Sequence, residues 1–138
     1  MARSPLSVLV VEDEPLVRIV VVEELELQGF AVAEADSATA ARRLLADGRG
    51  EMAAAVIDVG LPDARGDEFA REIRKQWPRI PIILVSGYDE ATLRQRFTDF
   101  DRVAFLSKPY LAHDLVDLLA RFGIRPSIPT ASSAPTAP

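Results

Sequence analysis

Five short apolar runs, spaced about 20–25 residues apart and separated by amphipathic stretches, constrain this chain more than any other feature. They span residues 6–11, 30–33, 53–57, 80–85 and 103–106. Each is four to six residues long and mostly lacks polar alternation, the pattern of strands covered on both faces. The stretches between them read as helices, giving the order βαβαβαβαβα. That order calls for right-handed crossovers and a parallel sheet with helices on both sides. The runs show no self-similarity of the kind a solenoid would carry.

The helices have legible ends. Pro15 suits a first turn, with Asp13 and Glu14 at the positive end of a helix running to about Gln28, and Gly29 can stop it. The β-branched Ile19, Val20, Val21 and Val22 favour a strand by propensity, whereas Glu23, Glu24 and the length of the segment favour helix. Ser37 can cap a second helix that carries Ala41, Leu44 and Leu45 on one face and stops at Gly48. Residues 67–77 place Phe69, Ile73 and Trp77 four apart, and Pro78 terminates them. Residues 89–97 run from acidic to basic, and Leu111, Leu115, Leu118, Leu119 and Phe122 make the stripe of a last helix ended by Gly123.

The 138 residues allow one domain, with 49% hydrophobic residues to fill a core. Its expected extent is 6–124, preceded by a short extension, 1–5, and followed by a Pro/Ser/Thr/Ala tail, 125–138, too polar and too rich in proline to pack. A net charge of −5 argues against binding a phosphate backbone. The lack of cysteine excludes disulfides and thiolate chemistry, and a single histidine, His113, excludes a multi-imidazole zinc site. A bound metal would be a hard cation on oxygen ligands, with Mg²⁺ the leading candidate. No apolar run reaches the ~18 residues of a membrane span, so the expectation is a cytoplasmic protein.

Ligands of an open parallel sheet bind beyond the carboxyl ends of its strands. There the sequence places Glu12, Asp13 and Glu14 after the first strand, Asp58 after the third, Ser86 after the fourth, and Ser107 and Lys108 after the fifth. Clustered carboxylates repel unless a cation or proton relieves them. With Mg²⁺ on the carboxylates, and Lys108 and Ser86 on phosphoryl oxygens, one carboxylate can act as a nucleophile on phosphorus.

These residues resemble a response-regulator receiver domain, the phospho-accepting module of two-component signalling. The likeness spans about residues 5 to 124 and rests on Glu12-Asp13, Asp58 with Leu61-Pro62 and Gly66, Ser86-Gly87, and Lys108-Pro109-Tyr110. It implies a doubly wound, flavodoxin-like α/β fold with strand order 2-1-3-4-5. It implies Asp58 as phosphoacceptor, Asp13, Asp58 and the Gly60 carbonyl as Mg²⁺ ligands with Glu12 direct or through water, and Ser86 and Lys108 on the phosphoryl oxygens. A cis Lys108-Pro109 peptide and Phe105 as the aromatic switch position belong to the same expectation. The hydroxyl is Ser rather than the commoner Thr, Phe105 lacks a phenolic oxygen, and Tyr88 and Gly60 stand where the family tunes phosphoryl lifetime.

Taken singly, the same residues have plainer readings: Asp13 as a helix cap, Ser86 as a cap for the next helix, His113 as a partly exposed structural residue, and Trp77 as helix-end packing. Asp63, Asp67 and Glu68 read as surface and capping charges. The expected function is a single-domain response regulator that takes a phosphoryl group from a sensor histidine kinase or histidine phosphotransfer protein. It would then bind a downstream protein through its fourth helix, fifth strand and fifth helix, with a homodimer left open and neither nucleic acid nor membrane as partner. Alternatives are a phosphorylation-independent adaptor and, less favoured because Gly60 occupies the position of a general acid, a Mg²⁺-dependent aspartyl-phosphate phosphatase.

Overall fold

The computed structural model describes residues 6–48, 51–87, 90–97 and 101–126. The expected extension 1–5, the tail from 127 onward, Tyr88 and Asp89 lie outside the described residues. Ten elements alternate as expected: β1 (Ser7–Val11), α1 (Pro15–Leu27), β2 (Ala31–Ala35), α2 (Ala38–Asp47), β3 (Ala54–Asp58), α3 (Gly66–Gln76), β4 (Ile82–Ser86), α4 (Glu90–Arg96), β5 (Val103–Ser107) and α5 (Ala112–Arg121). The strands form one parallel sheet in the order β2-β1-β3-β4-β5.

Alternation along the strands divides the core in two. Val8, Val10, Ala54, Val56, Ile83 and Val85 pack under Val21 and Leu25 of α1 and Leu115 and Leu119 of α5. Leu9, Val11, Ala55, Ile57, Ile82 and Leu84 pack under Ala38, Ala41 and Leu45 of α2, Phe69 and Ile73 of α3, and Leu93 of α4. The three inner strands are therefore apolar on both faces, the reason their sequences read as unbroken runs. On the edge, β2 includes the exposed Glu34, tolerated because one side of the strand meets solvent.

The β-branched run in α1 is helical: tertiary burial of Val21 and Val22 outweighs the modest propensity cost. Ser37 caps α2, its hydroxyl accepting the Ala40 N–H at 3.1 Å. Asp13 caps nothing; the residue preceding α1 is Glu14, whose side chain makes no cap bond. Gly29 and Gly123, with φ of 101° and 80°, supply the left-handed turns that end α1 and α5. Trp77 closes α3 and packs against the core.

Several boundaries shift. Asp58 and Ser86 are the last paired residues of β3 and β4 rather than residues beyond them, Asp58 opposite Val85 and Ser86 opposite Ser107. Backbone pairing continues past the end of the hydrophobic run, because a ladder hydrogen bond is indifferent to the side chain it carries. The consequence is functional: the polar groups are fixed by the sheet and not by a loop.

Candidate functional site

At the carboxyl edge of the sheet, β1 delivers Glu12 and Asp13, β3 delivers Asp58, and the edge strand β5 leads into Lys108. One carboxylate oxygen from each of the three acids lies within 4.8 Å of the others. Glu12 and Asp58 are buried, at 4% and 7% exposure. Lys108 Nζ bridges them, 2.9 Å from Asp58 Oδ2 and 3.4 Å from Glu12 Oε1. The other Asp58 oxygen accepts the Gly60 N–H at 3.0 Å. Glu12 Oε2 accepts the Glu14 N–H at 3.1 Å, and Arg18 Nη1 donates to the Glu12 carbonyl oxygen at 2.8 Å while its Nε bonds Glu34 across the sheet edge.

The electrostatics follow from this crowding. Burial pushes the Glu12 carboxyl up to about 7, and the Asp58 carboxylate beside it adds to the rise, against the Glu14 amide and Lys108. Burial also works against the charge on Lys108, but the hydrogen bond and field of Asp58, with Glu12 behind it, hold its ammonium above the usual lysine range. Tyr110, mostly buried nearby, is pushed up to about 12 by burial first. Three clustered acids, Glu12, Asp13 and Asp58, share a single lysine, an imbalance that a further cation would relieve. The donor set, carboxylate oxygens with no imidazole or thiolate among the described residues, suits a hard divalent cation such as Mg²⁺.

Asp13, Asp58, Gly60, Ser86, Gly87 and Lys108 line one cavity of about 310 Å³. Ser86 is buried on the last pair of β4, and the Lys108 N–H donates to its carbonyl oxygen at 2.8 Å. The peptide between Lys108 and Pro109 is cis. Two larger cavities flank this one. The first, about 670 Å³, lies between the β3–α3 connection and α4; the second, about 560 Å³, is bounded by Leu16, Val20 and the segment Lys108–Tyr110. Neither carries the acids together with the lysine.

The structure thus brings Glu12, Asp13, Asp58, Gly60, Ser86 and Lys108 to one rim. Phe105 stands apart in β5, buried, its ring 6.0 Å from that of Phe97 and under the Arg94 guanidinium. His113 is well exposed on α5, with 66% of its side chain open, rather than partly covered. Asp67 is buried and bound by Arg65 and Arg96, not a surface charge. Asp63 is exposed and accepts from the Ala38 and Thr39 amides, tying the β3–α3 connection to the start of α2. Sequence reasoning passed over Arg18 and Arg96. Their partners, Glu34 and Asp67, lie 16 and 29 residues away, a separation no local pattern marks.

A five-stranded parallel sheet of this order, with buried acids and a lysine at the strand ends, defines the class of the receiver modules. The model of the response regulator receiver domain matches residues 8–120, and the chain belongs to that family. Among curated relatives it is 38% identical over 104 residues to the sensor kinase CckA of Brucella abortus (strain 2308), covering 75% of this chain and 11% of the relative. It is 34% identical over 129 residues to the KDP operon transcriptional regulatory protein KdpE of Escherichia coli (strain K12), covering 94% of this chain and 55% of the relative. The chain therefore spans about half the length of KdpE and far less of CckA. Among solved structures, a CheY-like receiver domain protein from Methanospirillum hungatei JF-1 aligns at 26% identity and a TM-score of 0.73 over 85% of this chain and 92% of that one. The chemotaxis protein CheY4 of Vibrio cholerae, at 24% identity, a TM-score of 0.76 and coverage of 84% and 97%, shares the fold. Among the described residues, no helix is long and apolar enough to cross a membrane.

Proposed function

We propose that this receiver accepts a phosphoryl group on Asp58 from a phosphohistidine donor, a sensor histidine kinase or a histidine phosphotransfer protein, and signals by changing its surface. The observation that carries the reading is the posture of Asp58: buried at a strand end, one oxygen on Lys108 and the other on the Gly60 amide, with Glu12 and Asp13 alongside. A carboxylate held this way needs little reorganisation to attack phosphorus. In the transfer a P–O bond forms to Asp58, the P–N bond to the donor imidazole breaks, and the electron pair leaves with that nitrogen. Glu12, Asp13 and Asp58, with the Gly60 carbonyl, would hold Mg²⁺, which supplies charge neutralisation for the phosphoryl oxygens. Lys108 then exchanges its carboxylate partner for a phosphoryl oxygen, and Ser86, on the same cavity wall, donates its hydroxyl to another.

Exposed Leu16 and Val20 on α1 and Leu111 before α5 stand beside the Lys108–Tyr110 segment, an apolar surface next to the acceptor where a donor helix can dock. Ser86 and Phe105 link the site to the α4, β5 and α5 face as switch residues, and that face is the output surface for a downstream protein. The same groups support slow self-catalysed loss of the phosphoryl group to water.

The test is the intact mass of the protein after incubation with Mg²⁺ and a small acyl phosphate. One phosphoryl adduct, absent without Mg²⁺ and absent in Asp58→Asn, is the expected result. No adduct where Mg²⁺ binding is independently demonstrated would refute the reading and leave a phosphorylation-independent adaptor.

A further inference from the structure

Asp67 is the buried charge that the acidic site does not use. It lies in the first turn of α3 and is 5% exposed. Arg65 grips both of its oxygens, at 3.0 Å each, and Arg96 Nη1 reaches Oδ2 at 2.8 Å from the last turn of α4. Burial opposes its charge, and the two guanidiniums outweigh burial and hold it below the usual carboxylate range.

The bond matters because it ties the last turn of α4 to the first turn of α3. Seven residues are far below the ~12–15 at which a helix becomes even marginal alone, so tertiary contacts decide where α4 sits. Besides Leu93 in the core, several of those contacts lie at its carboxyl end: the Asp67–Arg96 pair, Arg71 donating to the Arg96 carbonyl oxygen, the Arg71 guanidinium 4.7 Å from the Phe97 ring, and Phe97 against Phe105. Arg65, Arg96, Thr92 and Leu93 line the 670 Å³ cavity together with Gly60 and Ser86. One cavity wall therefore carries both arginine partners of Asp67 together with Ser86.

We propose that Asp67 is a positioning residue for that site, acting through Arg96 to hold α4, and with it the Ser86 end of β4, in the unphosphorylated arrangement. The proposal rests on the receiver reading above. Its content is a coupling: a bond present in this arrangement favours it, so breaking the bond releases α4 and eases the movement that phosphorylation requires.

The experiment pairs two readouts on the full chain: amide hydrogen exchange of residues 90–97, and the rate of phosphoryl adduct formation from a small acyl phosphate with Mg²⁺. Arg96 is half-exposed, so Arg96→Met should fold. It is expected to speed both readouts about fivefold or more, with exchange in α1 and α5 unchanged. Arg96→Lys, which keeps the charge, should stay within about twofold of wild type, and adding Asp67→Asn to Arg96→Met should change little further. Unchanged exchange and rate, in a protein whose wild type still forms the Asp58 adduct, would overturn the positioning role alone. Faster exchange throughout the domain would also overturn it, as general destabilisation. No adduct on the wild type, where Mg²⁺ binding is independently demonstrated, would overturn the phosphoacceptor reading and this role with it.

Discussion

Replacing Gly66 by alanine tests how the fold holds Asp58. Gly66 opens α3 eight residues after Asp58, and its N–H donates to the Val59 carbonyl oxygen at 2.8 Å, pulling the helix start tightly against the end of β3. A Cβ there would collide with the Asp58 carbonyl oxygen and stand 2.6 Å from Val59 Cα and 2.8 Å from the Asp58 carbonyl carbon. All three are backbone atoms at the end of β3 and just beyond it, held by pairing with β4, so no flexible side chain can swing away. Overpacking of this kind costs about 3 kcal/mol. The smaller unfolded-state entropy of alanine returns about 0.5–1 kcal/mol. The net loss of about 2–2.5 kcal/mol, at roughly 4 °C per kcal/mol for a domain of this size, lowers Tm by about 8–10 °C. Gly87→Ala is the control: its Cβ meets nothing within 4 Å, and it should stay within about 0.5 kcal/mol of wild type. Thermal and urea unfolding followed by circular dichroism read both. A Gly66→Ala midpoint within about 2 °C of wild type would show that β3 and α3 separate easily and refute the account.

Three further outcomes follow from the same contacts. Asp63 is held down to about 2 by the Thr39 hydroxyl first and then the Ala38 and Thr39 amides, so its contribution is present above 3.8 and is lost as pH falls through 2; Asp63→Asn should lower Tm at neutral pH, with the gap to wild type closing in acid, and a pH-independent gap would contradict it. Glu12 is raised from 4.5 to about 7, so the folded state is penalised increasingly between those values; without divalent cations Glu12→Gln should be the more stable protein above about pH 7 and indistinguishable from wild type below 4.5, as differential scanning calorimetry would show. Lys108→Met leaves Asp58 and Glu12 without their shared cation and should cost about 1.5–3 kcal/mol in urea unfolding at neutral pH, with Mg²⁺ restoring part of it; no response to Mg²⁺ would argue against the acids as its ligands.

The sequence by itself determined the element order, the parallel sheet and the identity of the residues at its rim. Parallel strands covered on both faces must be written as unbroken apolar runs, so Val56-Ile57 followed by Asp58 marks both a strand and the place where it meets the ligand edge. The motif residues Glu12, Asp13, Asp58, Ser86 and Lys108 were legible for the same reason: each is a polar group within two residues of the end of an apolar run. Only the tertiary structure decided what they do to one another. That Lys108 reaches across 50 residues to Asp58, that Glu12 is buried deeply enough to hold a proton near neutrality, and that a glycine eight residues on leaves room for the Asp58 backbone are facts of packing between strands. Asp67 is the clearest case. Its sequence neighbours Glu68 and Arg65 suggest a solvated helix start, but the tertiary structure buries it and brings Arg96 of α4 onto it. Local patterns report hydropathy and helix ends, whereas desolvation and long-range pairing exist only once distant segments are brought together.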